Sequence, residues 1–248
     1  PKQMLQPTLA SRLCSLGALR EAHQWQLALH WQRGFPDHDV ESFNAVLAVC
    51  EEAAQWEVAL QLSFSGAGLA SMDSVGVNTL IAACAGGSEW RKCLHLLQSR
   101  TTDVIGFNST LSALASARCW DHALALLRDM QDPNVVSYNT AISACADGEG
   151  EWEHAIQLLK QMQQCQVEPD QISFNAMMSA TQSWSICLQI LEERLRYADT
   201  TSFTTAMQVL AVAGQWQRCL AIVEQMEACR SPVDLLACMA LVHAAREA

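Results

Sequence analysis

The side chains best suited to chemistry in this chain form two matched series. Asn44, Asn78, Asn108, Asn139 and Asn175 recur at one slot of a repeated phrase, and Thr204 takes the sixth place. Asp73, Asp103, Asn134, Asp170 and Asp199 each stand five residues before a member of that series, as does Asp39, and Asp234 closes the last phrase. A carboxamide offers donors and an acceptor, a hydroxyl offers both roles, and a carboxylate only accepts. One such group per unit suits an extended strand of single-stranded RNA, whose base edges carry complementary donors and acceptors. The second series has a structural reading as well: Asp or Asn just before a helix is a preferred N-cap. The two roles are compatible. The first series is harder to explain structurally, because Asn is a mediocre helix former and a cap already precedes it.

Bond-making chemistry finds no comparable support. The seven histidines form no His-Glu-x-x-His, no His-x-Glu with paired Cys and no ligand spacing, and neither a Gly-rich phosphate loop nor a Gly-x-Ser-x-Gly phrase occurs. The eleven cysteines include no Cys-x-x-Cys. Cys50, Cys84 and Cys145 share one slot, and Cys93, Cys187 and Cys219 share another where other units carry Ala59, Ala123 and Ala155. A Cys that alternates with Ala is a small core residue, and thiols used this way suit a reducing compartment. No enzyme activity, cofactor, metal or small-molecule substrate is expected.

The elements that position these residues are read from internal repetition. Trp25, Trp56, Trp90, Trp120, Trp152, Trp184 and Trp216 lie about 30 to 34 residues apart, and three residues after each comes Ala or Cys followed by an aliphatic. In Val135 to Asp170 the pattern is clearest. Tyr138, Ala141, Ile142 and Cys145 make one face of a first helix, and an Asp-Gly-Glu-Gly turn from Asp147 breaks it. Trp152, Ala155, Ile156, Leu159 and Met162 make one face of a second, and Pro169 stops the unit. Neither helix can bury its stripe alone, so the units must stack. Their predicted bounds are 9–39, which is degenerate and presents Leu13, then 40–73, 74–103, 104–134, 135–170, 171–199 and 200–234, with a partial unit from 235. Unit 171–199 is short between Asn175 and Trp184, which predicts the loss of about one helical turn. The chain is expected to be one all-α solenoid.

The formal charge is −11, with three lysines, and half the residues are apolar. Phosphate contacts usually come from Lys and Arg, so this charge weighs against nucleic-acid binding. No apolar run approaches the length of a membrane span, so no membrane partner is expected. The sequence lacks an initiator Met and any leader-like segment, and it stops inside a unit; the expectation is a fragment of a longer protein.

The phrase VVSYNTAISACA, followed by W-x-x-A-[IL]-x-L-L-x-x-M and Pro-Asp, resembles the pentatricopeptide repeat. The W-x-x-A-L wording and Cys-rich first helices are similar to the variant of that family found in dinoflagellate algae. The tetratricopeptide repeat, also a helical hairpin, has a W-x-x-L-G-x-x-Y opening that is missing here. Ankyrin and leucine-rich phrases are missing too.

The resemblance implies a right-handed superhelix with the first helices on its concave wall, binding single-stranded RNA at one base per repeat. It also implies a base code. Asn44/Asp73 and Asn78/Asp103 would read uridine, Asn108/Asn134 cytidine, Asn139/Asp170 and Asn175/Asp199 uridine, and Thr204/Asp234 guanosine, giving 5′-UUCUUG-3′. An aliphatic before each phrase would sandwich the base: Val75, Ile105, Val136 and Ile172 fit, Thr201 fits partly and Glu41 does not. Many members carry Lys near the end of the first helix to meet phosphate, where this chain has Glu52, Gly86, Ser116, Asp147 and Val212. The family implies a mitochondrion or chloroplast, an organellar transcript as partner, and RNA-processing proteins as further partners. Two alternatives remain: a scaffold that binds a protein or peptide on the same wall, favoured by the acidic charge, and an enzyme whose catalytic domain lies outside this sequence.

Overall fold

The computed structural model describes residues 9–33, 40–64, 72–99, 102–146, 152–181, 183–193, 198–229 and 231–246, and every element among them is helical. Asp39 and the predicted turn from Asp147 lie outside the described residues. The chain divides into two compact units, one ending at Ala117 and one beginning at Arg118. The first holds α1 (Leu9–Glu21), α2 (Trp25–Arg33), α3 (Val40–Glu52), α4 (Trp56–Phe64), α5 (Ser74–Gly86), α6 (Trp90–Ser99) and α7 (Val104–Ser116). The second holds α8 (Trp120–Asp129), α9 (Val135–Ala146), α10 (Trp152–Gln164), α11 (Gln171–Ala180), α12 (Trp184–Glu193), α13 (Thr200–Val212), α14 (Trp216–Ala228) and α15 (Leu235–Arg246). Odd helices are the first members of the repeats. Even helices are the second members, and each begins at a tryptophan of the series.

Within each unit the odd helices stack on one another, α1 to α3 to α5 to α7 and α9 to α11 to α13 to α15. Helices α2, α4 and α6 of the first unit and α10, α12 and α14 of the second each lie against the odd helices on either side of them in sequence, and α8 lies against α9. The architecture is an all-α repeat solenoid. An odd helix in the middle of such a stack has neighbours on most sides, so it must be apolar nearly all round, whereas an even helix needs only a stripe. Accordingly Tyr138, Ala141, Ile142 and Cys145 of α9 are fully buried, on the face that the periodicity predicts. On α10 the buried residues are Ala155, Leu158 and Met162, while Ile156 and Leu159 are half-buried. The stripe is therefore turned from the predicted Ile156 and Leu159 toward Leu158. Helix α11 has 10 residues where α5, α7 and α13 have 13, a difference of about one turn.

Close approach of the helices is set by the small slot three residues after each tryptophan. Ala28, Ala59, Cys93, Ala123, Ala155, Cys187 and Cys219 are all fully buried there. The Cys93 thiol donates to the Ile81 carbonyl at 3.6 Å, and the Cys219 thiol to the Met207 carbonyl at 3.8 Å, so a thiol fills the Ala position while meeting the adjoining helix. Burial pushes the thiols of Cys50 and Cys84 up to about 11 and those of Cys93 and Cys187 up to about 12. These groups stay protonated at neutral pH and are poor nucleophiles and metal ligands. No cluster of three or more ligand side chains occurs among the described residues.

Five of the turns from odd to even helices share one backbone device. His23, Ala54, Ser88, Arg118 and Gly214 each stand two residues before a tryptophan with φ between 52° and 66°. In the second turn, for example, Ala54 N–H donates to the Glu51 carbonyl and Gln55 N–H to the Cys50 carbonyl, at 2.9 and 2.8 Å. This is the paired closure of a Schellman motif, which satisfies carbonyls that the helix end leaves open. Four of the five residues carry a side chain, each at a cost of about 1 kcal/mol over glycine.

Three of the tryptophans are covered by residues of the following repeat. Lys92 Nζ lies 3.7 Å from the Trp56 ring centroid, the His154 ring stacks on Trp120 at 5.3 Å, and Arg218 Cζ lies 3.6 Å from the Trp184 centroid. Each covering residue stands two places after its own repeat's tryptophan. Such contacts contribute about 0.5–1 kcal/mol apiece at exposed sites. Arg20 also pairs with Glu52 at 2.7 Å, and the Thr200 and Ser231 hydroxyls bond at 2.9 Å. Two outcomes follow. Ala155→Leu overpacks the α10 contact and lowers stability by about 1–3 kcal/mol in urea unfolding. Under native conditions Cys14, Cys165, Cys229 and Cys238, all exposed, react with a thiol reagent, while Cys50, Cys84, Cys93, Cys145, Cys187 and Cys219 react only on unfolding.

Candidate functional site

The first turns of α5, α7 and α11 are where the two polar series meet. Asp73, Asp103, Asp170 and Asp199 are N-caps of α5, α7, α11 and α13, with extended backbone and a carboxylate accepting helix N–H groups. Asn134 accepts from Ser137 N–H at 3.0 Å and Asp234 from Ala237 N–H at 2.8 Å, so they serve α9 and α15 in the same way. The cap reading of this series therefore holds at all six described positions.

The same carboxylates take a second bond. Asn44 Nδ2 donates to Asp73 Oδ1 at 2.9 Å, Asn78 Nδ2 to Asp103 Oδ1 at 2.7 Å and Asn139 Nδ2 to Asp170 Oδ1 at 3.0 Å. Each Asn sits in the second turn of one odd helix and each Asp caps the next, so the bond ties consecutive repeats. One amide N–H of each Asn remains for another acceptor. Asn175 differs. Its Nδ2 donates to Thr201 Oγ1 at 2.9 Å, and Thr201 passes its own proton to Asp199 Oδ1 at 2.7 Å. Thr201, expected beside a base, thus stands inside the polar link. Thr204 donates its hydroxyl to the Thr201 carbonyl at 3.0 Å, so its single proton is not directed at Asp234. Asn108 lies half-buried on α7 in one unit and Asn134 caps α9 in the other.

The helix ends and the side chains bonded to them favour the ionised form of these carboxyls. The Gly76 N–H and the Asn44 amide keep the Asp73 carboxyl below the ordinary value of 3.8. At Asp170 burial pushes the carboxyl up, but the Ser173 N–H, the Asn139 amide and the Ser173 hydroxyl outweigh it and the net direction is down. At Asp199 burial is again outweighed, by the Thr201 and Ser202 hydroxyls and the Ser202 N–H. All three are ionised at neutral pH, and the positive end of the helix dipole offsets part of their charge.

Beside the pairs stands a row of exposed aliphatics. Val75, Ile105, Val136 and Ile172 are 57%, 63%, 55% and 63% exposed, all at the second position of an odd helix. Nothing in the fold requires a β-branched apolar residue at an open helix start, where propensity disfavours it. Glu41 and Thr201 at the same slot are exposed as well. Two of the described arginines are placed away from this row. Arg91 Cζ lies 4.9 Å from the Trp90 centroid and Arg218 lies over Trp184, at the turn ends of the hairpins. On α5 the Asn78 slot is eight residues from the C-terminal end, roughly 12 Å of helix rise.

One participant escapes sequence reasoning. Ser173 completes a capping box with Asp170 and also reaches Asn139 Oδ1 at 2.5 Å. Its signal was the slot two places before each Asn or Thr, which reads Ser42, Gly76, Gly106, Ser137, Ser173 and Ser202. Thr201 was a candidate for contact with a base, and its hydroxyl link to Asn175 and Asp199 is the part the sequence did not announce.

Comparison with known proteins points one way. Residues 133–181 match the PPR repeat family, and residues 105–135 and 201–231 match the PPR repeat. No curated protein matches the chain. Among solved structures it is similar to the pentatricopeptide repeat protein PPR10 from maize, with a TM-score of 0.72 at 18% identity over 95% of this chain and 36% of that one. It is also similar to PPR10 in complex with an 18-nt psaJ RNA element, with a TM-score of 0.80 at 15% identity over 96% of this chain and 38% of that one. The chain thus spans little more than a third of the length of the structures it matches.

The acid behaviour of the caps is testable. Because the folded values of Asp73, Asp170 and Asp199 are lowered, their stabilisation is complete above 3.8 and is lost as pH falls below it. Replacing all three with Asn keeps a cap but removes the titration. The acid limb of a circular-dichroism unfolding curve becomes shallower in the triple variant than in the wild type.

Proposed function

This chain is a pentatricopeptide repeat protein, and we propose that its array binds single-stranded RNA by presenting one Asn or Thr per repeat to one base. The observation that supports this reading most is the conjunction of a held carboxamide with a spare N–H and an exposed aliphatic at the same helix start. Packed helices stand about 8–10 Å apart. Successive aliphatics at that spacing leave room for a planar base between them, with the amide at its edge. A structural role explains the Asn–Asp bond but not the exposed Val75, Ile105, Val136 and Ile172.

Read in chain order, the pairs Asn44/Asp73, Asn78/Asp103, Asn108/Asn134, Asn139/Asp170, Asn175/Asp199 and Thr204/Asp234 specify 5′-UUCUUG-3′ by the family's code. With the acidic total, and with Arg91 and Arg218 held over tryptophans, recognition rests on base edges and stacking more than on phosphate. Its salt dependence is correspondingly shallow. The action proposed is steric and not enzymatic: occupying an organellar transcript in a mitochondrion or chloroplast, blocking nucleases, remodelling the RNA or recruiting a processing factor. Family resemblance alone supports that setting.

A second reading has its own observation. The carboxylates of the pairs, with Arg91 and Arg218 held over tryptophans, favour a basic peptide on the same helix starts. Fluorescence anisotropy with a UUCUUG RNA and a scrambled control at two salt concentrations separates the two. RNA reading gives a preference of about tenfold or more for the designed site, the scale of one well-made base contact. Equal or absent binding to both RNAs, with binding to a Lys/Arg-rich peptide, supports the scaffold instead. Under the RNA reading Thr204→Asn moves the preference at the last base from G toward U.

A further inference from the structure

Asn139 is held at both ends of its carboxamide. Its Nδ2 donates to Asp170 Oδ1 at 3.0 Å, and its Oδ1 lies 2.5 Å from the Ser173 hydroxyl, nearer than that hydroxyl's other oxygen acceptor, Asp170 Oδ1, at 3.0 Å. Ser173 stands two places before the reading Asn of the following repeat and is itself fully buried. At the same slot after Asn44 and Asn78 come Gly76 and Gly106. There the carboxamide oxygen is buried and accepts no hydrogen bond. It rests instead against the glycine backbone: a Cβ on Gly76 would meet Asn44 Oδ1, and one on Gly106 would meet Asn78 Oδ1. These two amides are anchored at the nitrogen alone. Ser202, at the same slot after Asn175, is engaged elsewhere. Its hydroxyl donates to Asp199 Oδ1 at 2.7 Å and accepts from Gln171 Nε2, and Asn175 Oδ1 is buried without a partner. The difference therefore lies in where the hydroxyl goes as well as in the residue type.

The chemistry of the pyrimidines makes this difference matter. Uracil and cytosine have opposite polarity on the same edge: O4 accepts and N3–H donates in uracil, while the N4 amino group donates and N3 accepts in cytosine. A carboxamide fixed with its spare N–H outward suits only an acceptor at the matching place. A carboxamide that can turn over presents oxygen or nitrogen as the base requires, at the expense of its bond to Asp. Holding the oxygen as well as the nitrogen raises that expense, because turning then places N–H against a hydroxyl and O against a carboxylate.

We infer that the residue two places before each reading slot is a specificity-determining position for the preceding repeat, with the Ser173 hydroxyl making the Asn139 repeat strict for uridine over cytidine. Gly76 and Gly106 leave the Asn44 and Asn78 repeats tolerant of either pyrimidine. This rests on the base-reading function proposed above. It assigns a role to a residue outside the two series.

The test uses the whole chain and four RNAs: UUCUUG, the same site with C at the fourth base, the same site with C at the second base, and a scrambled control. The ratio of Kd values for C and U is measured at each base. The wild type shows a larger ratio at the fourth base than at the second. Ser173→Ala lowers the ratio at the fourth base by about three- to tenfold, the scale of one lost hydrogen bond, and leaves that at the second unchanged. Ser173→Thr, which keeps the hydroxyl, retains the wild-type ratio. A wild type that prefers UUCUUG to the scrambled RNA but whose ratio at the fourth base is unmoved by Ser173→Ala overturns this inference alone. So does an equal weakening of all the RNAs in Ser173→Ala, which is the signature of a cap role only. A wild type without preference for UUCUUG overturns the base reading and this inference with it.

Discussion

The first N–H groups of an α-helix have no partner within the helix. In this chain the odd helices meet that deficit with an acceptor that also takes a side chain from the repeat before. Asp73, Asp103 and Asp170 each accept helix N–H groups and an Asn amide on one oxygen. The helix start, the spacing of consecutive odd helices and the orientation of the carboxamide are thereby fixed together. Removing the carboxylate would unsettle a helix end and an inter-repeat bond at once. The cap of one helix and the tie to the repeat before it are the same contact seen from two sides.

That coupling works only because the helices approach to a constant distance. The fully buried Ala or Cys three residues after each tryptophan holds the even helix against its odd partner, and the tryptophan closes the turn end. Thiols alternate with methyl groups in this slot because both are small and neither is charged there. The polar bonds at one end of the hairpin and the ring contacts at the other leave the apolar middle to bury the bulk of the surface.

Much of this was legible in the sequence. A tryptophan followed by a small residue marks every even helix, because close packing restricts that slot to Ala or Cys. The ten-residue α11 follows from the short interval between Asn175 and Trp184. Contacts between repeats were less legible, because they depend on the offset of one hairpin against the next. Leu158 points inward where Leu159 was expected, a rotation of one residue that periodicity does not fix. Thr201 looks like a weakened aliphatic in sequence but places its hydroxyl between Asn175 and Asp199. Left-handed turns at His23, Ala54, Ser88 and Arg118 carry no glycine to announce them.

The links between repeats also overlap along the chain. In the first unit Arg20–Glu52, Asn44–Asp73, Trp56–Lys92 and Asn78–Asp103 each begin before the previous one ends. In the second, Trp120–His154, Asn139–Ser173, Gln171–Ser202, Trp184–Arg218 and Thr200–Ser231 do the same. The repeats are shingled like roof tiles. From Arg20 to Asp103 and from Trp120 to Ser231 every peptide bond is spanned by at least one side-chain link. A protease that nicks a turn inside either stretch severs the chain without freeing a tile.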